Sequence, residues 1–250
     1  MIKHKNYGKS VRTRLLTLMN KTGYRYMYLL TRYFNERLLY RVSVSQYKDN
    51  FLLKGGSLLY ALQGLESRPT VDIDFLADRI SRDRDYLTSV FKEILSIDIG
   101  FGDVVTPYPM NLDYPLLLPD VPSVNLKAYS IETVIAEKFH TMLDRDVFNS
   151  RMKDFFDCYQ LFVTYKIDHD SLYQAINATF SNRKLEYNAD RKLFTESFAT
   201  DEERNINWNR FLKQINFKQE LPFPKVMDLL RDELLPMENK YWQEHDGVKL

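Results

Sequence analysis

Two aspartates stand two residues apart in an otherwise apolar stretch, Val71-Asp72-Ile73-Asp74-Phe75-Leu76. Side chains of an extended chain alternate faces, so Asp72 and Asp74 project to one side and Val71, Ile73 and Phe75 to the other. Two carboxylates on one face repel unless a cation sits between them. Hard oxygen ligands on a strand suit Mg²⁺, which takes one or two carboxylates and completes its shell with water and substrate phosphates. An edge strand with a solvated acidic face has the same pattern, so the pair alone does not decide.

A second feature lies upstream. The apolar run Phe51-Leu52-Leu53 ends in Gly55-Gly56-Ser57, and Ser57 opens the helical run Leu58, Leu59, Leu62, Leu65. Glycines let backbone approach a phosphate chain, and N–H groups of a turn leading into a helix point at an anion with the favourable end of the helix dipole. Ser57 could donate its hydroxyl to a terminal phosphate. The G-x-x-x-x-G-K spacing of a P-loop is absent. The glycine turn and the aspartate pair in tandem are more specific than either alone.

A third carboxylate would complete a two-metal site. Asp98 is the candidate, alternating with Ile97 and Ile99, and Asp103, just after Gly102, is the alternative. Further on, Ser130 reads as the N-cap of a helix whose inward stripe is Ile131, Val134, Ile135 and Met142. Lys138 falls in the middle of that stripe and therefore needs an anion. That anion is a nucleotide phosphate, or else Lys138 is a structural lysine reaching the surface. In the next helix Met152, Phe155, Phe156, Tyr159 and Phe162 form the apolar side. Asp154 lies off it, grouped with Cys158 and Leu161, so the periodicity permits an inward functional role without requiring it. By itself it reads Lys153, Asp154 and Asp157 as a solvated face.

The elements that must position these groups are legible in outline. Apolar residues at three- and four-residue steps predict two helices between Tyr7 and about Val42, separated at Gly23. Strands follow at Phe51–Leu53, Val71–Leu76, Ser96–Phe101 and Val124–Ala128, with a charged helix from about Arg82 to Leu95. Five prolines between Val105 and Pro122 predict a loop with one short edge strand. From Ser130 the chain reads as helix, interrupted near Asn149-Ser150, Asn182 and Pro222-Pro224. The expected fold class is α+β: a small mixed sheet flanked by helices, residues 1–128, with a helical C-terminal lobe, residues 129–250, packed on it.

Composition narrows the function classes. One cysteine, Cys158, excludes an internal disulfide and a cysteine-rich zinc site, which fits a cytoplasmic protein. No run of about 18 apolar residues exists to span a bilayer. His4, His140, His169 and His245 lack metal-ligand spacing, and His140 reads as structural. Net charge is +1, yet residues 1–41 hold ten Lys or Arg against Glu36 alone. Such asymmetry points to a polyanion, although solvated helix faces also produce it.

Taken in order, FLLKGGSLLY, RPTVDIDF, IDIGFGDVVTP, AYSIETVIAEKFHTMLDR and NSRMKDFFDCYQLF resemble the AbiEii/AbiGii-type toxin nucleotidyltransferases of the DNA polymerase beta-like superfamily. The resemblance covers Ser10 to Phe162, about 60% of the chain. It implies that Gly55, Gly56, Ser57 and Lys138 bind the nucleotide and that Asp72 and Asp74 are the catalytic, metal-binding pair. It also implies that Lys138 and Asp154 complete the set, so resemblance rather than periodicity promotes Asp154. Asp98 stands in a matching segment as the third metal ligand. The implied activity is Mg²⁺-dependent transfer of NMP from an NTP, most naturally to the 3′ end of tRNA, by the toxin of a toxin–antitoxin or phage-defence system with a cognate antitoxin. A metal-dependent nuclease and a non-catalytic binding module are the competing readings, separated by a requirement for NTP and by loss of function on changing Asp74.

Overall fold

The structure, a computed structural model, describes residues 7–64, 67–70, 72–79, 81, 83, 98–100 and 102–245. The charged helix expected from Arg82 to Leu95 lies outside the described residues, apart from position 83.

Two compact units divide the chain: residues 1–101 with 110–128, and residues 102–109 with 129–250. The first opens with helices α1 (Tyr7–Thr22) and α2 (Tyr26–Val44), separated at Gly23, whose φ of +77° suits a residue without a side chain. Strand β1 (Phe51–Lys54) runs directly into α3 (Gly55–Gln63), followed by β2 (Asp74–Ala77), β3 (Asp98–Gly100), β4 (Met110–Tyr114) and β5 (Val124–Ala128). Together they form one five-stranded mixed sheet in the order β3-β2-β1-β5-β4. Strand β1 pairs antiparallel to β2 and parallel to β5, β2 pairs parallel to β3, and β4 pairs antiparallel to β5 at the edge. The proline-rich segment thus supplies one edge strand, which contains no proline itself, because a residue lacking N–H cannot serve a ladder. Leu52 and Leu53 point to opposite faces of the central strand and are both buried.

Beneath α2 lies a buried polar group. Arg32 donates to the Tyr114 hydroxyl at 2.9 Å and stacks on the Tyr60 ring. Glu36, fully buried, accepts the Leu117 N–H at 3.0 and 3.1 Å through its two oxygens. Burial pushes the Glu36 carboxyl up to about 7, against the pull of the Leu117 N–H and of Arg32. Between pH 4.5 and 7 the folded chain therefore holds a proton that the unfolded chain has released. That contribution is complete below pH 4.5 and is lost as pH rises through 7. Glu36→Gln, which can still accept from Leu117, is expected to flatten the pH dependence. Urea unfolding at pH 5 and pH 8 should show a wild-type loss of up to roughly 3 kcal/mol that the variant lacks.

The second unit is helical: α4 (Ile131–Arg145), a 3₁₀ turn (Asp146–Phe148), α5 (Met152–Thr164), α6 (His169–Arg183), α7 (Glu196–Thr200), α8 (Glu202–Gln214) and α9 (Phe223–His245). Ser130 caps α4 by accepting the Thr133 N–H at 3.2 Å. Aromatic rings fill the core. Phe155 meets Phe223 edge-on at 5.3 Å, and Phe156 meets Phe211 and Phe217 at 5.6 and 5.3 Å. Cys158 is fully buried, and burial pushes its thiol pKa up, so it packs as a small hydrophobe. His140 is buried on α4, where desolvation holds its pKa down.

Residues 102–109 belong to this unit through specific bonds. Asp103 accepts from the Tyr129 hydroxyl at 2.7 Å and from Arg183 at 2.9 Å, and Arg183 also pairs with Glu137. The Thr106 carbonyl accepts from Ser130 at 2.7 Å and from Thr133 at 2.8 Å. Asp103, the alternative third carboxylate, is thus occupied by a phenol and a guanidinium.

Candidate active site

Strand β1 ends where the chain turns into α3, and that turn sets the geometry of the first unit's site. The β1–β2 register stops at Lys54↔Asp74, so no backbone remains to pair with residues before Asp74. Strand β2 therefore begins at Asp74, and Asp72, expected inside the strand, is exposed just ahead of it. Helix α3 starts at Gly55 rather than at Ser57. Ser57 sits buried in its first turn and donates its hydroxyl to the Asp72 carbonyl oxygen at 2.7 Å. The hydroxyl expected to reach a phosphate instead fastens the aspartate segment to the helix start.

Both glycines are needed for close approach. Gly55 has a φ of +63°, and a Cβ there would collide with Asp74 Oδ2 and lie 2.8 Å from its Cγ. At Gly56 a Cβ would lie 2.5 Å from Thr70 Oγ1 and 2.7 Å from its Cβ. The Asp74 carboxylate is thus seated against the backbone at the opening of α3.

The sheet register adds two residues. Asp98 of β3 pairs with Asp74 in parallel register, which places it in the same row, while its side chain lies outside what the structure describes. Lys54, across from Asp74 on the other side, was not singled out by sequence reasoning. Directly opposed residues of an antiparallel pair carry their Cβ atoms on one face, about 4.5–5.5 Å apart. The available signal was its place immediately before the glycine pair.

Among the described residues no three His, Cys, Asp or Glu side chains gather into a ready-made metal cage. Asp72 and Asp74 offer hard oxygens at an exposed and a half-exposed position. That is the donor set of a Mg²⁺ ion sharing its shell with water and phosphates, so the residues present fit such an ion.

Lys138 and Asp154 belong to the second unit, where they form a cluster of their own. Lys138 Nζ donates to Asp154 Oδ1 at 3.0 Å and to Asp157 Oδ2 at 2.8 Å, and Arg151 Nε donates to Asp154 Oδ2 at 2.6 Å. Asp154 and Asp157 are 1% and 2% exposed, so the solvated face read from α5 is in fact a buried one. Periodicity permitted an inward Asp154 but did not require it, because α5 buries residues on both sides, Asp154 through Cys158 in succession, and the lysine that neutralises the carboxylates comes from α4. Burial would raise the Asp154 carboxyl, but Lys138 and Arg151 together hold it below the ordinary carboxylate range. The anion required by Lys138 is supplied within the unit by two aspartates.

A family model described as the nucleotidyl transferase AbiEii toxin, type IV toxin–antitoxin system, matches residues 37–97 and 94–232. The chain belongs to this AbiEii family. It is accordingly a nucleotidyltransferase toxin of a type IV toxin–antitoxin system, with an NTP as substrate and a cognate antitoxin. Among solved structures it is similar to MenT4, a nucleotidyltransferase toxin from Mycobacterium tuberculosis H37Rv, at 13% identity. That match covers 92% of this chain and 97% of MenT4 with a TM-score of 0.54, which supports the α+β fold. No curated protein matches the chain. Among the described residues of this AbiEii protein no helix is long and apolar enough to cross a membrane.

Proposed function

We propose that this AbiEii protein is a cytoplasmic, Mg²⁺-dependent toxin that transfers NMP from an NTP to the 3′ end of tRNA, with a role in phage defence. The observation that carries the reading is the seating of Asp74 against Gly55 at the start of α3, with Asp72 tied to the same turn through Ser57. Asp72 and Asp74 would hold the Mg²⁺, with Asp98 as third ligand; the ion supplies charge neutralisation on the phosphates and acidifies the attacking hydroxyl. Gly55 and Gly56 present their backbone to the triphosphate, and Lys54, opposite Asp74, adds a positive charge to that face.

In the reaction the RNA 3′ oxygen bonds to the α-phosphorus, the bond from that phosphorus to the bridging oxygen breaks, and pyrophosphate departs. Asp98 is assigned to receive the hydroxyl proton. Asp154, its pKa held down by two cations, is a poor base and is assigned instead to fix Lys138, whose role in nucleotide binding follows from the family resemblance.

Surface charge supports an RNA acceptor. Lys9, Arg12, Lys21, Arg25 and Arg41 are exposed on or beside α1 and α2, while Glu36, the one acid in residues 1–41, is buried. The test is incubation of the protein with total tRNA, Mg²⁺ and each labelled NTP in turn. Label on tRNA from one NTP is the expected result. Label on another RNA or on a protein overturns the acceptor, and absence of label with every NTP and acceptor overturns the transferase assignment to this site.

A further inference from the structure

The three residues that open α3 each meet one of positions 70, 72 and 74. Asp74 is seated against Gly55, where an added Cβ would lie 2.8 Å from its Cγ. Thr70 is seated against Gly56, where a Cβ would lie 2.5 Å from the threonine Oγ1 and 2.7 Å from its Cβ. Ser57, 2% exposed, donates its hydroxyl to the Asp72 carbonyl at 2.7 Å. Consecutive residues of one helix turn therefore grip alternate residues of the segment that carries both aspartates.

The grip matters most at Asp72. On both sides of β2 the pairing begins at Asp74, with Lys54 of β1 and with Asp98 of β3, so the ladder does not reach Asp72. Ile73 beside it is buried, while Asp72 itself is exposed. A carboxylate on a loose backbone loses conformational freedom when it takes up a cation, and one held beforehand loses less. A serine hydroxyl has one proton to donate, and Ser57 directs it at the Asp72 carbonyl rather than at a phosphate.

We propose that Ser57 and Thr70 are positioning residues that hold Asp72 and Asp74 in place for the cation, in the space that Gly55 and Gly56 leave open. The inference rests on the reading of Asp72 and Asp74 as the Mg²⁺ pair. It has Ser57 act through Asp72 instead of through the nucleotide, and it adds Thr70, whose side chain packs on Gly56. Groups that orient metal-binding carboxylates from behind typically carry roughly 10- to 100-fold of metal affinity.

The test uses the whole protein with Mn²⁺ as probe and no nucleotide present, the free ion being followed by electron paramagnetic resonance. Ser57→Ala should weaken Mn²⁺ binding by roughly 10- to 100-fold, and Gly56→Ala, whose methyl displaces Thr70, should do likewise. Ser57→Thr, which keeps the hydroxyl, should bind as wild type does. Urea unfolding shows that each protein measured is folded. Residues that act only on phosphates would leave Mn²⁺ affinity untouched when no nucleotide is there. Wild-type affinity in Ser57→Ala, even with a lower urea midpoint, overturns the role of Ser57, as does equal weakening by Ser57→Thr. Wild-type affinity in Gly56→Ala overturns the role of Thr70. Asp72→Asn separates these failures from that of the reading beneath them: Mn²⁺ binding that is absent from the wild type, or that survives Asp72→Asn, overturns the metal pair itself.

Discussion

Asp74→Asn is expected to lower nucleotidyl transfer about a thousand-fold, the loss that follows from removing several kcal/mol of charge stabilisation at the reacting phosphate. The chain should stay folded. Asparagine matches aspartate in shape, so it fits the space left by Gly55, whose missing Cβ is what lets Asp74 approach. Labelled NMP incorporation alongside a urea unfolding curve checks both parts. A folded, fully active Asp74→Asn protein would place the carboxylate outside the chemistry. Asp72→Asn should behave alike: its side chain is exposed and only its carbonyl is bonded to Ser57, so the tie to α3 survives the substitution.

Lys138→Met should have the largest effect on stability. The ammonium lies between two carboxylates that are almost entirely buried, and its removal leaves Asp154 with Arg151 and Asp157 without this cation. Breaking one side of a buried ion pair costs roughly 3–5 kcal/mol. The same network makes the fold acid-sensitive. Because the Asp154 pKa is depressed below 3.8 in the fold, its contribution is present above that value and disappears as pH falls through the folded pKa. Urea unfolding at pH 7 measures the first effect, and Lys138→Met with Asp154→Asn and Asp157→Asn should recover part of the loss. If the single variant is as stable as wild type, the network does not hold the second unit together.

The strands, the two opening helices and the helical character of the second unit were legible from apolar period and turn residues, whereas the breaks after Thr164 and Thr200 were not, since no glycine or proline marks them. Asp72, Asp74 and the glycine turn were legible as a candidate site because carboxylates and glycines in that order have few shared uses, and the structure brings them together at the start of α3. What escaped was whatever depends on partners distant in the chain. Lys54 is ordinary until the register sets it across from Asp74. Ser57 reads as a phosphate donor until the Asp72 carbonyl occupies its proton. Asp154 and Asp157 read as solvated because the helix wheel, although it grouped Asp154 with Cys158 and Leu161, could not show that this second side of α5 is buried as well.

Residues 102–109 belong with the second unit although strands β4 and β5 of the first follow them in the chain. During synthesis this order has a cost in time. The last strand of the sheet is polymerised before Tyr129, Ser130, Thr133 and Arg183, the residues that bind Asp103 and Thr106. A chain stopped after Ala128 carries both aspartates of the proposed site, yet it has a loop with nothing to dock on and neither Lys138 nor Asp154. For a toxin, this delays completion of the proposed residue set until translation is well into the second unit, so truncated products lack part of it.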